Sequence, residues 1–236
     1  MKNNPSQDYP GSVAIIVAGG EGKRFGGEIP KQFLNLKGFP IIFYSIKFFE
    51  EIDEISGIIL VIHQDWMKRV KKWVEEWGFK KVIGIVKGGE TRKESVLAGL
   101  RSVPAKRFSI ILIHDAVRPF PPREQTLKAI KIAGRGEGAI LACQASDTVK
   151  EAEDEFLILK TLERRKIWLA QTPQVFPFDK LLMAYEECSK LKTEITDDAS
   201  VFELFNYPVR IVPSTQKNIK ITYEEDILIA ETLSAV

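Results

Sequence analysis

Short apolar runs alternate along the chain with amphipathic stretches, and this alternation restricts the possible fold more than any other feature. Apolar runs of about six residues bounded by turn signals are typical of buried strands. The candidate strands are residues 13–18, 57–62, 81–86, 108–113 and 138–143. Since strands that alternate with helices form parallel sheets covered on both faces, the sequence predicts an α/β fold with a mostly parallel sheet.

Two stretches between these runs predict helices. Residues 65–78 carry one apolar face, made of Trp66, Val70, Trp73, Val74 and Trp77. We interpret this tryptophan-rich face as core packing rather than a cofactor site. Residues 123–133 predict a second helix, which ends at Gly134.

Two capping boxes predict further helix starts. They pair Thr91 with Glu94 and Thr222 with Glu225, each ahead of an apolar-periodic run. Loops at the carboxyl ends of parallel strands gather at one edge of a sheet, where ligands bind. We therefore expect three loops to converge: residues 19–31, 88–95 and 115–118.

The first candidate strand leads directly into a glycine-rich, cationic loop. Residues 19–27 read Gly-Gly-Glu-Gly-Lys-Arg-Phe-Gly-Gly, and Lys31 follows. Glycines let backbone N–H groups gather around a polyanion, and Arg24 and Lys31 add fixed positive charge. The loop indicates a site for a nucleoside triphosphate. The alternative is a glycine-rich turn with solvated basic side chains.

Spacing excludes the two best-known phosphate loops. A P-loop requires Ser or Thr after its Gly-Lys, but Arg24 follows Gly22-Lys23 in this chain. The dinucleotide fingerprint G-x-G-x-x-G begins with Gly20 and Gly22, but Phe25 occupies its third glycine position.

Composition restricts the class of protein. The 236 residues, 44% of them hydrophobic, suffice for one large α/β domain, and we expect residues 1–236 to form one, with a flexible N-terminus at 1–11. A formal charge of +2 gives no reason to expect binding to nucleic acid or to a membrane surface. No apolar run approaches the roughly 18 residues of a membrane span, and residues 1–10 lack the apolar core of a secretory signal. We therefore expect a cytoplasmic protein.

Cysteine and histidine are rare in the chain. Cys143 and Cys188 fit neither a disulfide framework nor a zinc site, and we expect them to be buried. The only histidines are His63 and His114, which excludes a histidine-rich metal site. We interpret His114 as a structural residue rather than a base.

A second candidate site follows the fourth candidate strand. Asp115 could bind a magnesium ion or a sugar hydroxyl, and Arg118 could bind a phosphate, because Mg²⁺ that bridges phosphates needs only one or two carboxylates. The alternative is an Asp–Arg pair that fastens a loop. The sequence Gln-Thr-Pro-Gln around Thr172 offers a hydroxyl and two amides.

The strand–helix alternation breaks between residues 147 and 171. Residues 148–150 and 156–161 predict short strands on either side of an acidic stretch, which indicates a hairpin arm that protrudes from the domain. Apolar residues on such an arm favour pairing with a partner chain, because exposed strand edges seek partners. The alternative is a plain surface hairpin.

Taken in order, the motifs resemble the 2-C-methyl-D-erythritol 4-phosphate cytidylyltransferases of the non-mevalonate isoprenoid pathway. The resemblance covers about residues 13–233 and rests on residues 18–32, 88–100, 114–119, 147–148, 164, 168, 171–174, 196–200 and 218–220. It implies a Rossmann-like mixed sheet of about seven strands with helices on both faces, a protruding β-arm, Mg²⁺ and a homodimer in which the arm reaches the neighbouring subunit. The chain departs from the family pattern at Gly19, where Ala is usual, and the arm is one residue shorter than expected, which leaves its register open by one position.

The resemblance also implies roles for the matching residues. The catalytic residues would be Arg24, Lys31, Arg164 and Lys220. The nucleotide-binding residues would be Ala18, Gly19, Gly20, Gly22, Gly88, Gly89, Glu90 and Ser95. The substrate-binding residues would be Asp115, Arg118, Thr148 and Thr172. Asp115 would also be a contact of Mg²⁺, which the CTP phosphates would mainly hold.

The implied reaction transfers CMP from CTP to 2-C-methyl-D-erythritol 4-phosphate and releases pyrophosphate. The attacking phosphomonoester is largely dianionic at neutral pH, so it needs no protein base. Two alternatives stay open. One is a cytidylyltransferase that uses ribitol 5-phosphate, and the other is a noncatalytic nucleotide-binding module whose basic residues serve only affinity.

Overall fold

A computed structural model of the chain describes residues 11–20, 29–190 and 195–234. The strands in this part are β1 (Gly11–Ala18), β2 (Asn35–Leu36), β3 (Phe39–Pro40), β4 (Ile55–Ile62), β5 (Val82–Lys87), β6 (Phe108–Asp115), β7 (Gly138–Gln144), β8 (Lys150–Ala152), β9 (Ile158–Thr161), β10 (Trp168–Pro177) and β11 (Val209–Pro213). The helices are α1 (Ile41–Glu50), α2 (Met67–Trp77), α3 (Arg92–Ser102), α4 (Arg123–Ala133), α5 (Phe178–Ser189), α6 (Asp198–Leu204) and α7 (Glu225–Leu233).

Seven strands form the central sheet, in the spatial order β11-β7-β10-β6-β1-β4-β5. β10 runs antiparallel to both of its neighbours, and the other neighbouring pairs are parallel. The expected α/β fold with a mixed, mostly parallel sheet is confirmed. The predicted strands correspond to β1, β4, β5, β6 and β7 to within two residues at each end.

Side chains that alternate along β1 divide the core between the two faces of the sheet. Ala14 and Ile16 pack with α1, α2 and α4, whereas Val13 and Ile15 pack with α3, α5 and α6. All four residues are fully buried. A strand covered on both faces must be apolar at every position, which is why a continuous apolar run identified it.

Gly99 lets α3 lie unusually close to the sheet. A Cβ atom at this position would stand 2.8 Å from Ile15 Cγ2 and 2.9 Å from Val61 Cγ2. Contacts this short would force the helix outward. The close packing therefore fixes the depth of α3, and its first residue, Arg92, is aimed at the edge of the sheet where β1 and β6 end.

The predicted helices agree with the structure. α4 spans the predicted residues, and α2 begins two residues later than predicted, after a 3₁₀ turn at Gln64–Trp66. On the tryptophan-rich face of α2, Val70 and Val74 are buried and the tryptophans pack partly buried against the core. The interpretation of this face as core packing is confirmed.

One of the two predicted capping boxes is present. Thr91 accepts a hydrogen bond from the Glu94 backbone N–H, and Glu94 accepts one from that of Thr91. The box predicted at Thr222 is wrong, because Glu224 stands at the N-cap of α7 and makes no side-chain cap. The Asp226 carboxylate instead accepts hydrogen bonds from the backbone N–H groups of Thr222 and Tyr223, at 2.7 and 2.9 Å.

The predicted arm is an exposed antiparallel hairpin of β8 and β9. Both strands begin two residues later than predicted. For β9 the reason is that the tip residues Glu155 and Phe156 adopt positive φ and form a turn before it. Phe156 is 94% exposed and Leu157 is 63% exposed. Large apolar side chains therefore project from the arm into solvent.

Two smaller expectations concern the rest of the chain. Cys143 and Cys188 are buried and form no disulfide, as predicted.

Among the described residues, no helix has both the length and the apolar character needed to cross a membrane.

Candidate active site

The loops that follow β1, β5 and β6 meet at the carboxyl edge of the sheet, as predicted. They enclose a central cavity of about 340 Å³. The first loop contributes Gly19, Gly20 and Lys31, the second contributes the start of α3, and the third contributes the end of β6. The lining residues are Val17, Ala18, Gly19, Gly20, Lys31, Gln32, Gly89, Glu90, Thr91, Arg92, Ser95, Asp115, Val117 and Lys220.

Two further cavities adjoin the central one. The glycine-side cavity, about 470 Å³, shares Gly19, Gly20, Gly89 and Glu90 with it and adds Gly88 together with residues around His63. The threonine-side cavity, about 250 Å³, shares Arg92, Asp115 and Lys220 with the central cavity and adds Arg118, Thr172 and their neighbours. The central cavity therefore has room for ligand groups to extend to either side.

The first two loops touch through glycine backbone. A Cβ atom on Gly88 would stand 3.0 Å from the Cα atom of Gly19, so both positions require a residue without a side chain. The buried Gln32 amide donates hydrogen bonds to the carbonyls of Ala18 and Gly20, at 2.9 and 2.8 Å. These contacts fix the start of the glycine loop against the strand edge.

A second set of hydrogen bonds fixes the loop after β5. The Ser95 hydroxyl, on the first turns of α3, accepts a hydrogen bond from the Gly89 backbone N–H at 3.1 Å. Ser95 is almost fully buried. The wall of the cavity at this point is therefore backbone that a capped helix start holds in place.

The Asp115 carboxylate lies between two cations on the cavity wall. Lys220 Nζ donates to Asp115 Oδ2 at 2.8 Å, and Arg92 Nε donates to Asp115 Oδ1 at 3.3 Å. Burial alone would raise the pKa of Asp115, but the positive charges of Arg92 and Lys220 outweigh this and hold the pKa well below its usual range. Asp115 is therefore ionised at neutral pH.

Arg92 spans two carboxylates. Its Nη1 and Nη2 atoms donate to the Oδ1 and Oδ2 atoms of Asp198, at 3.1 and 2.7 Å. Tyr185 Oη donates to the same Asp198 Oδ1 at 2.5 Å. Burial opposes the charge of Arg92, yet the attraction of Asp198 and Asp115 dominates and raises the pKa of Arg92 above its usual value.

His114 is held by both of its ring nitrogens. Nε2 lies 3.0 Å from the carbonyl oxygen of Arg118, and Nδ1 lies 3.0 Å from Thr172 Oγ1, an oxygen that accepts from the Asp115 backbone N–H. A carbonyl can only accept, so Nε2 carries the proton. Burial lowers the pKa of His114 to about 4, and Asp115 offsets this only in part. His114 is a structural residue, as interpreted from the sequence.

Arg118 belongs to a buried polar network beside the threonine-side cavity. Its Nη1 donates to the Asn218 carbonyl at 2.8 Å, and Asn218 Nδ2 donates to Gln171 Oε1 and to the Thr172 carbonyl, each at 3.0 Å. Burial lowers the pKa of Arg118. The network ties the segment before Lys220 to β10.

The structure brings most of the sequence-predicted site residues together. The central cavity is lined by Ala18, Gly19, Gly20, Lys31, Gly89, Glu90, Ser95, Asp115 and Lys220. Gly88 lines the glycine-side cavity, and Arg118 and Thr172 line the threonine-side cavity. The predictions for Gly22 and Arg24 lie outside the described residues.

Two predicted residues stand apart from these cavities. Thr148 and Arg164 are exposed at the base of the hairpin and line none of the three. Arg164 Nη1 instead donates to the Ser146 carbonyl at 2.7 Å. Within one chain, therefore, the hairpin does not deliver these side chains to the site.

Comparison with known proteins identifies the family. A sequence profile of the 2-C-methyl-D-erythritol 4-phosphate cytidylyltransferases (IspD) matches residues 12–235. The chain belongs to this family. The relative of that name from Geobacter metallireducens is 42% identical over 221 residues, which cover 92% of this chain and 95% of the relative. The one from Alkaliphilus oremlandii is 39% identical over 220 residues and 93% of each chain.

A solved structure supports the same family. The 4-diphosphocytidyl-2C-methyl-D-erythritol synthase from Anaerococcus prevotii superposes with a TM-score of 0.84 at 31% identity. The superposition covers 96% of this chain and 99% of the other. The family resemblance that the sequence motifs indicated is therefore confirmed over nearly the whole chain.

Sequence reasoning assigned no role to three residues that line or support this cytidylyltransferase site. Gln32 fixes the glycine loop, Arg92 bridges two carboxylates, and Asp198 is the buried partner of Arg92. Arg92 had a signal, because it is the first residue after the Thr91 cap in a loop predicted to face the site. Asp198 had none beyond its place in a family motif.

The donor set fits a phosphate-held divalent ion better than an ion enclosed by protein. Among the described residues, no cluster of three or more His, Cys, Asp or Glu side chains could hold a metal. Both oxygens of Asp115 already accept a hydrogen bond, but carboxylate oxygens have lone pairs to spare. One carboxylate beside a triphosphate is an ordinary environment for Mg²⁺.

The burial of His114 predicts a pH dependence of stability. Between pH 6.5 and about pH 4 the unfolded chain binds a proton at His114 that the folded chain does not. The free energy of unfolding should therefore fall as the pH is lowered through this range, by up to about 1.4 kcal/mol per pH unit from this residue. Urea denaturation at several pH values would measure the slope.

Two variants isolate the contribution of His114. His114→Gln should reduce the slope between pH 6.5 and 4, because the amide does not titrate. Val201→Ala, which removes buried volume but no titratable group, should lower the free energy of unfolding and keep the wild-type slope. Equal slopes for His114→Gln and the wild type would contradict the assignment.

Proposed function

We propose that this chain transfers CMP from CTP to 2-C-methyl-D-erythritol 4-phosphate, releases pyrophosphate and forms 4-diphosphocytidyl-2-C-methyl-D-erythritol for isoprenoid biosynthesis. The observation that carries the proposal is one cavity in which glycine backbone, Lys31 and the Arg92–Asp115–Lys220 cluster face each other. Membership of the family over residues 12–235 supports the two substrates.

CTP would lie along the first two loops. The backbone of Gly19 and Gly20 offers N–H groups to the triphosphate, and Lys31 would neutralise the charge that grows on the leaving pyrophosphate. The wall formed by Gly89 and Ser95 would receive the base through backbone contacts. Glu90 lines the same wall. The catalytic role proposed for Arg24 and the nucleotide-binding role proposed for Gly22 follow from family resemblance alone.

The acceptor phosphate would enter beside Asp115 and Lys220, where the central and threonine-side cavities join. Arg118 and Thr172 line that side. The phosphate needs no base because it is already ionised, and both nitrogens of His114 are engaged in hydrogen bonds. Catalysis would therefore rest on positioning and on cancelling the repulsion between two anions.

We further propose that Mg²⁺ binds with CTP, held mainly by phosphate oxygens and in contact with the Asp115 carboxylate. When bound, the ion neutralises part of the triphosphate charge. Hydrogen bonds from Arg92 and Lys220 keep this carboxylate oriented. A cytoplasmic location fits these substrates, because CTP is an intracellular metabolite.

The arm supports a proposal about assembly. Residues 1–236 would form one nucleotidyltransferase domain whose arm, residues 147–171, docks on a second copy of the chain. Phe156 and Leu157 expose large apolar surfaces at its tip, and Thr148 and Arg164 lie away from the cavities of their own chain. In a homodimer these two residues would bind the sugar phosphate at the partner's site.

Pyrophosphate release tests the function directly. The purified protein with CTP and Mg²⁺ should release pyrophosphate with 2-C-methyl-D-erythritol 4-phosphate. Ribitol 5-phosphate should give at most a few per cent of that rate. A faster reaction with ribitol 5-phosphate would favour the rival acceptor, and CTP binding without turnover of either acceptor would favour a noncatalytic module.

Lys31→Ala should lower kcat by about 10²–10³, because it removes one preorganised cation from the charge that develops in the transition state. The KM for CTP should change much less. Lys71→Ala removes an exposed lysine on α2 and serves as the matched control, which should keep the wild-type kcat. A rise in KM with unchanged kcat would make Lys31 a ground-state binding residue instead.

Mixing two inactive variants tests the exchange of arms. Arg164→Ala and Lys31→Ala should each be nearly inactive as homodimers. In a mixed dimer, one composite site carries neither substitution, so random pairing leaves about one site in four intact. Pyrophosphate release should therefore recover after subunit exchange. If mass spectrometry shows mixed dimers and activity stays absent, Arg164 does not act across the interface.

A further inference from the structure

Asp198 is a fully buried carboxylate near the proposed site that lines none of the three cavities. It begins the short helix α6, whose first backbone N–H groups donate to Gln174 Oε1. Its side chain accepts from Tyr185 Oη and from both terminal nitrogens of Arg92. A group in this position cannot touch a substrate, so any effect on the reaction must pass through Arg92.

Arg92 is shared between the interior and the cavity. Its terminal nitrogens face Asp198, and its Nε atom reaches Asp115 at 3.3 Å. The bidentate contact fixes the plane of the guanidinium, because two parallel hydrogen bonds allow one orientation only. The orientation of this plane determines which of the two carboxylate oxygens of Asp115 lies within reach of Arg92.

The remaining oxygen of Asp115 is the one that accepts from Lys220. If Arg92 lost its buried anchor, Asp115 would be its one remaining carboxylate partner among the described residues, and Arg92 could take both oxygens in a bidentate contact. Lys220 would then compete for the same group. By holding Arg92, Asp198 therefore keeps Arg92 on one oxygen of Asp115 and leaves the other oxygen to Lys220.

We propose that Asp198 is a positioning residue for cytidylyl transfer. It is held by Tyr185, anchors Arg92 through two hydrogen bonds and so keeps Asp115 and Lys220 in place on the cavity wall. This inference rests on the proposed function for its kinetic part. Its structural part, the placement of Lys220, does not depend on which acceptor is used.

The charge balance separates positioning from plain electrostatics. Asp115 and Asp198 face three cations, Arg92, Arg118 and Lys220, so neutralising Asp198 makes the group more positive by one charge. A more positive site attracts CTP at least as strongly. Loss of positioning therefore lowers kcat without raising the KM for CTP, whereas a purely electrostatic role would lower the KM and leave kcat unchanged.

The kinetic test uses Asp198→Asn in the full-length protein, below its melting temperature. We expect kcat for pyrophosphate release to fall about tenfold or more, with a KM for CTP no higher than that of the wild type. Asp198→Glu, which restores the charge, should recover part of the loss. Val201→Ala is the matched control, since it removes buried volume from the same helix and should lower the melting temperature but not kcat.

A wild-type kcat in Asp198→Asn overturns the proposal. If that variant does not fold, Tyr185→Phe decides, because it removes one hydrogen bond to Asp198 and keeps the ring. A two- to threefold lower kcat with an unchanged KM for CTP supports the proposal, and an unchanged kcat overturns it.

Crystal structures separate this inference from the proposed function. In the folded variant used for kinetics, Arg92 should leave its wild-type position, and the contact between Lys220 Nζ and Asp115 Oδ2 should be lost or lengthened. If Arg92 and this contact stay in place, the proposal is wrong even where the wild type is active. If the wild type releases no pyrophosphate but the contact changes as expected, the proposed reaction fails and the positioning of Lys220 by Asp198 stands.

Discussion

The ion pairs of Asp115 with Arg92 and Lys220 are the interaction on which the rest of the site depends. Residues 92, 115 and 220 come from α3, from the end of β6 and from the segment before α7, so one carboxylate joins three distant parts of the chain. A buried carboxylate is costly unless it is paired. The pairing therefore stabilises the edge of the sheet and leaves Lys220 facing the cavity.

The topology of the sheet explains why these parts meet. β1 and β6 are parallel neighbours, so their carboxyl ends and the loops that follow lie side by side. β10 enters the sheet antiparallel beside β6, which brings Thr172 against His114 and Asp115 from the opposite chain direction. A purely parallel sheet would have placed another loop there instead of a strand lined with polar groups.

In the central sheet, sequence reasoning predicted the five strands that read as continuous apolar runs and missed β10 and β11, which are not uniformly apolar. β10 contains Gln171, Thr172, Pro173 and Gln174, a pattern that resembles a loop, because proline and polar residues are unusual within a sheet. The amides are tolerated because each one has a buried partner, such as the contact between Gln171 Oε1 and Asn218. Such partners depend on tertiary packing and leave no local trace in the sequence.

The same limit applies to the candidate site. Lys31, Asp115 and Lys220 could be named because each follows a strand or matches a family motif, whereas the pairing of Arg92 with Asp198 spans 106 residues and exists only once α3 and α6 are packed on the sheet. Lys220 thus obtains its position indirectly, from a carboxylate that a second, buried carboxylate helps to orient. In a reaction between two anions that needs no base, the protein lowers the activation barrier mainly by the placement of cations. The buried residues that hold those cations do not touch the substrate, but they must be placed as accurately as the cations themselves.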